Sequence, residues 1–139
     1  MEPSILFFDD RETRYNELIK NVPAGSVFWA KTPEEAIHIL ENYHDQLNLW
    51  LLDHDMNVTQ TGFDGTDLIL WVMHNPHVLE NNPKILIHTA NPPAARTMHD
   101  LLKALNSEID VTQAMYAWLA LRSEDNIVYI GEDKIYIDI

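Results

Sequence analysis

Acidic and histidine residues follow three apolar segments of the sequence, at the point where each segment ends. The three groups are Asp9-Asp10, Asp53-His54-Asp55 and His88-Thr89-Ala90-Asn91. Carboxylates that are brought together repel each other, by about 4 kcal/mol for two charges about 4 Å apart at an effective dielectric near 20. A divalent cation removes that repulsion, and carboxylate oxygens suit Mg²⁺, Ca²⁺ or Mn²⁺ better than zinc. The residue types therefore predict a metal site that binds Mg²⁺ or Mn²⁺, with Asp9, Asp10, Asp53 and Asp55 as candidate ligands.

Histidines and polar residues beside these carboxylates add proton transfer and phosphate binding to the candidate chemistry. An imidazole can move protons near neutral pH or bind Mn²⁺ and other transition metals. Hydroxyl, amide and guanidinium groups donate hydrogen bonds to phosphate oxygens. Asp55 and Asp67 could also orient a histidine from behind. The candidates are Asp53, His54 and His88 for catalysis, Thr89, Asn91, Arg96 and Arg11 for substrate binding, and Asp67 in the supporting position.

Short apolar runs that alternate with helical patterns must position these residues. Predicted strands cover 4–8, 26–30, 49–52, 84–89 and 109–112, and predicted helices cover 12–20, 64–73, 94–105 and 112–121. A further helix starts at Thr32-Pro33, where Thr32 is the cap and Glu35 completes a capping box. Strand–helix alternation predicts an α/β fold with one doubly wound, mostly parallel, five-stranded sheet. In such a sheet the ligand site lies at the carboxyl ends of the strands, where the three groups would meet.

The last part of the chain follows a different pattern. Residues 126–139 alternate apolar and polar side chains on both sides of Gly131-Glu132-Asp133-Lys134, which predicts a β-hairpin. The 139 residues have the size of one domain. We therefore expect an α/β domain over residues 1–122 that carries a C-terminal β-hairpin extension over residues 123–139.

Composition excludes several classes of protein. With 46% hydrophobic residues the chain can bury a real core, so full disorder is ruled out. Nine Lys+Arg against 22 Asp+Glu give a net charge of −13, which argues against broad nucleic-acid binding. The absence of cysteine removes disulfides, thiol nucleophiles and Cys-type zinc sites. No apolar run approaches the roughly 20 residues of a membrane span, and the acidic N-terminus predicts no signal peptide, so a cytoplasmic location is expected.

The order of these motifs resembles that of response-regulator receiver domains. The shared motifs are Asp9-Asp10, Asp53-x-x-Met56, Asp64-Gly65 and Thr89-Ala90. In receivers an acidic pair and a phospho-accepting Asp bind Mg²⁺, and a Thr or Ser follows the fourth strand. The receiver lysine after the fifth strand is missing, since residues 109–113 contain none and Lys103 lies inside a predicted helix. This departure slightly favours an enzyme over an ordinary signalling switch.

A more specific resemblance is to the divergent receiver-like family of cyclic-phosphate processing receiver domains. The motifs that carry it are Phe7-Phe8-Asp9-Asp10, Leu52-Asp53-His54-Asp55, Gly65-Thr66-Asp67-Leu68-Ile69-Leu70-Trp71, His88-Thr89-Ala90-Asn91-Pro92 and Tyr116-Ala117-Trp118. The resemblance covers residues 4 to about 118 and implies a receiver/flavodoxin-like fold. The chain departs from it at Thr97, where family members usually have Asn. The family name implies action on cyclic phosphates.

The resulting hypothesis is a metal-dependent phosphodiesterase that acts on the cyclic phosphate of a nucleotide or RNA end. Asp9, Asp10 and Asp53 would hold the metal, and His54 or His88 would act as base and acid in either order. Two routes stay open, because a water or the Asp53 carboxylate can attack the phosphorus, the second giving an aspartyl-phosphate. Two alternatives are not enzymes: a pseudo-receiver that binds a protein partner, and a sponge that binds a cyclic nucleotide without cleaving it. The expected partner is a small phosphorylated ligand, with no membrane contact and an unknown oligomeric state.

Overall fold

The computed structural model describes residues 4–54, 64–89 and 91–113, and the backbone of three further strands at 121–124, 127–130 and 133–136. The predicted metal ligand Asp55 and the Tyr116-Ala117-Trp118 motif lie outside these residues. No helix in the described ranges is long and apolar enough to cross a membrane.

Strands and helices alternate along the first 113 residues, as the sequence predicts. The strands are β1 (Ile5–Phe8), β2 (Val27–Ala30), β3 (Leu49–Leu52), β4 (Lys84–Ile87) and β5 (Val111–Gln113). The helices are α1 (Glu12–Leu18), α2 (Pro33–Tyr43), α3 (Gly65–His74) and α4 (Pro92–Leu105). Short 3₁₀ turns lie at Ala24–Ser26, His44–Gln46 and Pro76–Leu79.

The five strands form one parallel sheet in the order β2-β1-β3-β4-β5. This confirms the predicted doubly wound sheet, and it is parallel throughout. Phe8 of β1 pairs with Leu52 of β3, which in turn pairs with Ile87 of β4. The residues that follow these three strand ends therefore stand side by side at the carboxyl edge of the sheet.

Both faces of the sheet are covered by apolar side chains, because successive residues of a strand point to opposite faces. Leu6 and Phe8 pack with the larger cluster, which contains buried residues of α2, α3 and α4. Ile5 and Phe7 pack with the smaller cluster, which contains Leu18 of α1. This explains why the predicted strands read as continuous apolar runs rather than as an alternating pattern.

Two helix starts differ from the prediction in detail. The Thr32 hydroxyl accepts a hydrogen bond from Glu35 N, as predicted, but the Glu35 carboxylate accepts from Lys31 N rather than from Thr32 N. Helix α4 begins at Pro92, two residues earlier than predicted. Proline suits the first turn of a helix, where its missing N–H has no intrahelical partner.

The C-terminal strands are β6 (Leu121–Glu124), β7 (Ile127–Ile130) and β8 (Asp133–Tyr136). They pair antiparallel in the order β6-β7-β8. The prediction of a helix over 112–121 is wrong at its ends. Residues 112 and 113 belong to β5, and Leu121 begins β6. Residues 114–120 lie outside the described part of the chain. Residues 131–132 and 137–139 also lie outside it, so the hairpin extension and the boundary at residue 122 stay predictions.

Candidate functional site

Asp9, Asp53 and His88 form a buried group at the carboxyl edge of the sheet. One ligand atom of each lies within 4.8 Å of those of the other two. Their exposed fractions are 0%, 3% and 0%. Hydrogen bonds from Asp53 N to Phe8 O (3.0 Å) and from His88 N to Leu52 O (2.9 Å) continue the strand ladder into the group. Strand register alone thus brings together three of the predicted site residues.

Hydrogen bonds from three elements hold Asp9 in place. Its Oδ2 lies 3.0 Å from Nε2 of His88, whose ring stacks on Phe7 with the centroids 5.5 Å apart. Its Oδ1 accepts a hydrogen bond from Arg11 N at 2.9 Å. Its backbone carbonyl accepts a hydrogen bond from Trp29 Nε1 at 2.7 Å. Because both carboxylate oxygens and the backbone carbonyl of Asp9 are held, its side chain has little freedom to turn. This favours a side chain that is already oriented to bind a metal.

Arg14 joins the two buried carboxylates and is absent from the predicted set. Its Nη1 donates to Asp9 Oδ2 at 3.0 Å and to Asp53 Oδ2 at 3.1 Å. Only 14% of its side chain is exposed. The sequence could have indicated this contact, because Arg14 lies in the first turn of α1 and so only a few residues after Asp9-Asp10.

The two carboxylates differ in their readiness to bind a proton. Burial raises the pKa of Asp53 above its usual value, and the neighbouring Asp9 charge adds to this, so that His88 and Arg14 offset only part of the rise. Burial acts in the same direction on Asp9, but His88, the Arg11 N–H and Arg14 outweigh it and lower the pKa of Asp9. A proton that enters this pair is therefore held by Asp53 in preference to Asp9.

His54, the residue after Asp53, forms a second pair, with Asp64. Its Nε2 lies 3.2 Å from Asp64 Oδ2, and its side chain is 15% exposed. Asp64 caps α3, where its carboxylate accepts from Thr66 N and Asp67 N, while Asp67 Oδ2 accepts from Asp64 N in return. Asp67 thus contacts Asp64, which in turn pairs with His54, and its predicted supporting role stays a prediction. Asp64 was not among the predicted site residues, although two aspartates three positions apart at a helix start have capping-box spacing.

Gly65 allows α3 to begin against the end of β3. Its N–H donates to the His54 carbonyl at 2.9 Å. A Cβ atom at this position would lie 2.8 Å from His54 Cα and closer still to the backbone oxygen of Asp53. Because only glycine fits this contact, Gly65 sets the distance between α3 and the candidate site.

Asp10 and Thr89 each directly follow a member of the buried group in the sequence, Asp10 after Asp9 and Thr89 after His88. Asp10 is half-buried beside Asp9. Thr89 is buried, and its hydroxyl accepts a hydrogen bond from Asn91 N at 3.2 Å. The Asn91 side-chain oxygen caps α4 by accepting from Ala94 N at 3.2 Å. In this structure the Thr89 and Asn91 side-chain oxygens thus shape the turn between β4 and α4.

The two arginines predicted to bind substrate are exposed. Arg96 lies on the surface of α4. Arg11 contacts Asp9 through its backbone N–H. Substrate binding by these two guanidinium groups stays a prediction. The predicted metal ligand Asp55 lies outside the described residues.

The buried group fits a hard divalent cation. Two carboxylates that repel each other gain from a cation between them, and oxygen ligands suit Mg²⁺ and Mn²⁺. The imidazole of His88 favours Mn²⁺ or another transition metal over Mg²⁺. Asp9, Asp53 and His88 therefore form a group of described residues that could hold a metal.

Comparison with known proteins gives a family and a fold. A family described as "Cyclic-phosphate processing Receiver domain" matches residues 4–104. No curated protein matches the chain. The chain is similar in structure to the phosphorylated cyanobacterial phytochrome response regulator RcpA, with a TM-score of 0.57, 14% identity and 86% of each chain covered.

Two further solved structures have the same architecture. The Mn(2+)-bound form of response regulator Rcp1 has a TM-score of 0.56 and 14% identity, with 81% of each chain covered. The signal receiver domain of an HD domain-containing protein from Pseudomonas fluorescens Pf-5 has a TM-score of 0.56 and 15% identity, with 81% of this chain and 82% of that chain covered. Likeness at these identities establishes the receiver/flavodoxin-like fold.

Proposed function

The chain belongs to the family of cyclic-phosphate processing receiver domains, and on that premise we propose that it is a metal-dependent phosphodiesterase. It would hydrolyse the cyclic phosphate of a nucleotide or of an RNA end. The observation that carries the proposal is the buried Asp9–Asp53–His88 group beside the His54–Asp64 pair. Candidate metal ligands thus adjoin an imidazole that a carboxylate orients, which is the combination that phosphate ester hydrolysis needs.

Asp9, Asp53 and His88 would hold the cation, with Asp10 and Asp55 as additional candidate ligands. When bound, a divalent cation offsets negative charge on phosphoryl oxygens and makes a neighbouring water more acidic. His88 is fully buried against Asp9, which suits a ligand better than a group that must exchange protons with substrate.

His54 is the residue best placed to transfer protons. Hydrolysis forms a bond between water oxygen and phosphorus and breaks one ring P–O bond. One proton leaves the water and one reaches the departing oxygen. The His54 imidazole is partly exposed and is oriented by the Asp64 carboxylate, so it can reach a substrate and keep one ring orientation.

Water is a better candidate than Asp53 for the attack on phosphorus. Both Asp53 oxygens are already engaged, Oδ1 by His54 N and Oδ2 by Arg14 Nη1, and a carboxylate that also binds the metal has little freedom to attack phosphorus. Rapid quench of a single turnover tests this choice, because the covalent route leaves phosphate on the protein. Recovery of a phosphorylated Asp53 would replace the water route with the covalent one.

The ligand we propose is small and lies in the cytoplasm. A net charge of −13 disfavours long nucleic acids, which are repelled along their whole length, whereas one phosphate needs only a local cation. Thr89, Asn91, Arg96 and Arg11 remain the residues proposed to contact this ligand.

The test is turnover of 2′,3′-cyclic mononucleotides, 3′,5′-cyclic mononucleotides and a cyclic dinucleotide, each with Mg²⁺, Mn²⁺ or EDTA. We expect metal-dependent cleavage of one class and a loss of about 100-fold or more in His54→Ala, which removes a general acid–base group. His88→Ala should lose turnover together with metal binding. The matched control is His74→Ala, an exposed histidine at the other end of α3, which should stay within about twofold.

Two outcomes would replace the proposed enzyme. A nucleotide that binds tightly and is recovered intact by chromatography would make the protein a sponge. Absence of both cleavage and nucleotide binding would favour the pseudo-receiver alternative, in which the fold binds a protein partner.

A further inference from the structure

Arg14 occupies the carboxylates that a metal ion would bind. A single nitrogen, Nη1, donates to Asp9 at 3.0 Å and to Asp53 at 3.1 Å. The same two carboxylates, with His88, supply the ligand atoms of the buried group. The guanidinium therefore already supplies the positive charge that a cation would supply.

A divalent cation and the Arg14 guanidinium cannot share these oxygens in the present arrangement. Bonds from a small hard cation to carboxylate oxygens measure about 2.1 Å, so the cation must approach both carboxylates more closely than Nη1 does now. Two positive charges in a buried site with little water between them repel strongly. Arg14 must then leave the carboxylates when the cation enters.

The position of Arg14 permits such a movement. It lies in the first turn of α1, and 14% of its side chain is exposed, so the side chain reaches the protein surface beside the site. The flexible side chain can turn while the helix stays in place. After leaving, the guanidinium is still tethered beside the site, and its planar array of donors matches the oxygens of a phosphate.

We propose that Arg14 exchanges partners: it neutralises Asp9 and Asp53 in the metal-free protein, and it transfers to a phosphoryl oxygen of the ligand when a divalent cation takes those carboxylates. This rests on the proposed function, since it assigns a phosphate-binding group to the same site. Arg14 is then a substrate-binding residue that reaches its ligand only after the metal has bound.

The experiment measures two affinities of the full chain, for Mn²⁺ alone and for inorganic phosphate in the presence of saturating Mn²⁺. In Arg14→Ala we expect Mn²⁺ to bind at least tenfold more tightly, because no competing cation remains. Phosphate should bind at least tenfold more weakly, because its guanidinium partner is gone. The matched control is Lys20→Ala, which removes the same charge from an exposed ion pair with Glu17 and should change neither affinity by more than about twofold.

Each outcome has a defined meaning. Unchanged or weaker Mn²⁺ binding in Arg14→Ala would overturn the competition, and tighter Mn²⁺ binding with unchanged phosphate binding would overturn the transfer. If Arg14→Ala does not fold without metal, Arg14→Lys keeps a charge there and should still lose phosphate affinity, since an ammonium lacks the planar array of donors. Opposite shifts without any turnover would keep the exchange and refute only the phosphodiesterase.

Discussion

The amino and carboxyl edges of the parallel sheet satisfy the polar groups at their strand ends in different ways. At the amino edge, the backbone carbonyl of Ser4 accepts from Asn48 N at 2.8 Å, which satisfies the strand ends with neutral groups. The ion pair at that edge joins Lys84 to Asp110 at 3.2 Å, and the Asp110 side chain is 62% exposed. At the carboxyl edge, Asp9 and Asp53 are buried and share one guanidinium.

The difference between the two edges shows that folding of this sheet does not require buried charges at the strand ends. A buried charge loses several kcal/mol of hydration, and apolar replacements of buried ion pairs are often neutral or stabilising. The amino edge shows that this sheet can end in neutral hydrogen bonds and an ion pair whose carboxylate is mostly exposed. The buried charges of the carboxyl edge are therefore not required to end the strands, which agrees with the ligand-binding role that we propose for them.

The largest effect that tests this comparison is expected from Asp9→Asn. The substitution removes a charge that both Arg14 and His88 contact, so that the largely buried guanidinium loses a carboxylate partner. We expect the metal-free protein to lose about 3 kcal/mol or more of its free energy of unfolding. Urea denaturation followed by tryptophan fluorescence measures it, and a loss below about 1 kcal/mol would contradict the importance of these contacts.

Gly65→Ala should have the next largest effect on the free energy of unfolding. It tests the carboxyl edge without changing any charge, because its effect is purely steric. Its Cβ would contact the backbone of Asp53 and His54, so α3 must move away from β3. We expect a loss of about 2 kcal/mol in the free energy of unfolding, in the range for overpacked sites, and a loss of turnover as His54 shifts. Thr66→Ala, at the next position of α3, is the control and should keep most of both quantities.

Asp53→Asn should change stability in the opposite direction from Asp9→Asn. Because burial and Asp9 raise the pKa of Asp53, the neutral side chain is easier to bury than the charged one. We expect the metal-free variant to be more stable by up to about 1 kcal/mol at pH 7 and to lose Mn²⁺ binding. Isothermal titration with Mn²⁺ beside urea denaturation checks both, and a strongly destabilised variant would show that Asp53 is chiefly a structural residue.

The pH dependence of stability should separate the two carboxylates. The lowered pKa of Asp9 contributes stability above its unfolded value of about 3.9, and this is lost as the pH falls through the folded-state pKa. The raised pKa of Asp53 contributes stability below about 3.9, and this is lost as the pH rises through the folded-state pKa. The gain from Asp53→Asn should therefore grow with pH above about 4, and the penalty of Asp9→Asn should shrink below it.

The smallest effect is expected at the amino edge, from Asp110→Asn. Its carboxylate is mostly exposed, and pairs of this kind contribute about 0–1 kcal/mol. The same urea denaturation should show a change below about 1 kcal/mol and unchanged Mn²⁺ affinity. A loss as large as that of Asp9→Asn would remove the contrast between the two edges.

Much of the fold follows from local patterns in the sequence. Runs such as Leu49–Leu52 are apolar without interruption, and only strands buried on both faces require this. The prediction of a helix over 112–121 was wrong at its ends, since residues 112 and 113 complete β5 beside β4. Pairing along a sheet edge is a long-range interaction that overrides local helical spacing.

The sequence by itself determined which residues end the strands, and hence that Asp9, Asp53 and His88 meet at one edge. Parallel strands in register require this of any residues that follow them. Only the tertiary structure decided the partners of these groups: Arg14 on both carboxylates, and Asp64 on His54. The physical reason is that a helix can place a side chain on several surfaces, and packing of α1 and α3 against the sheet selects one of them.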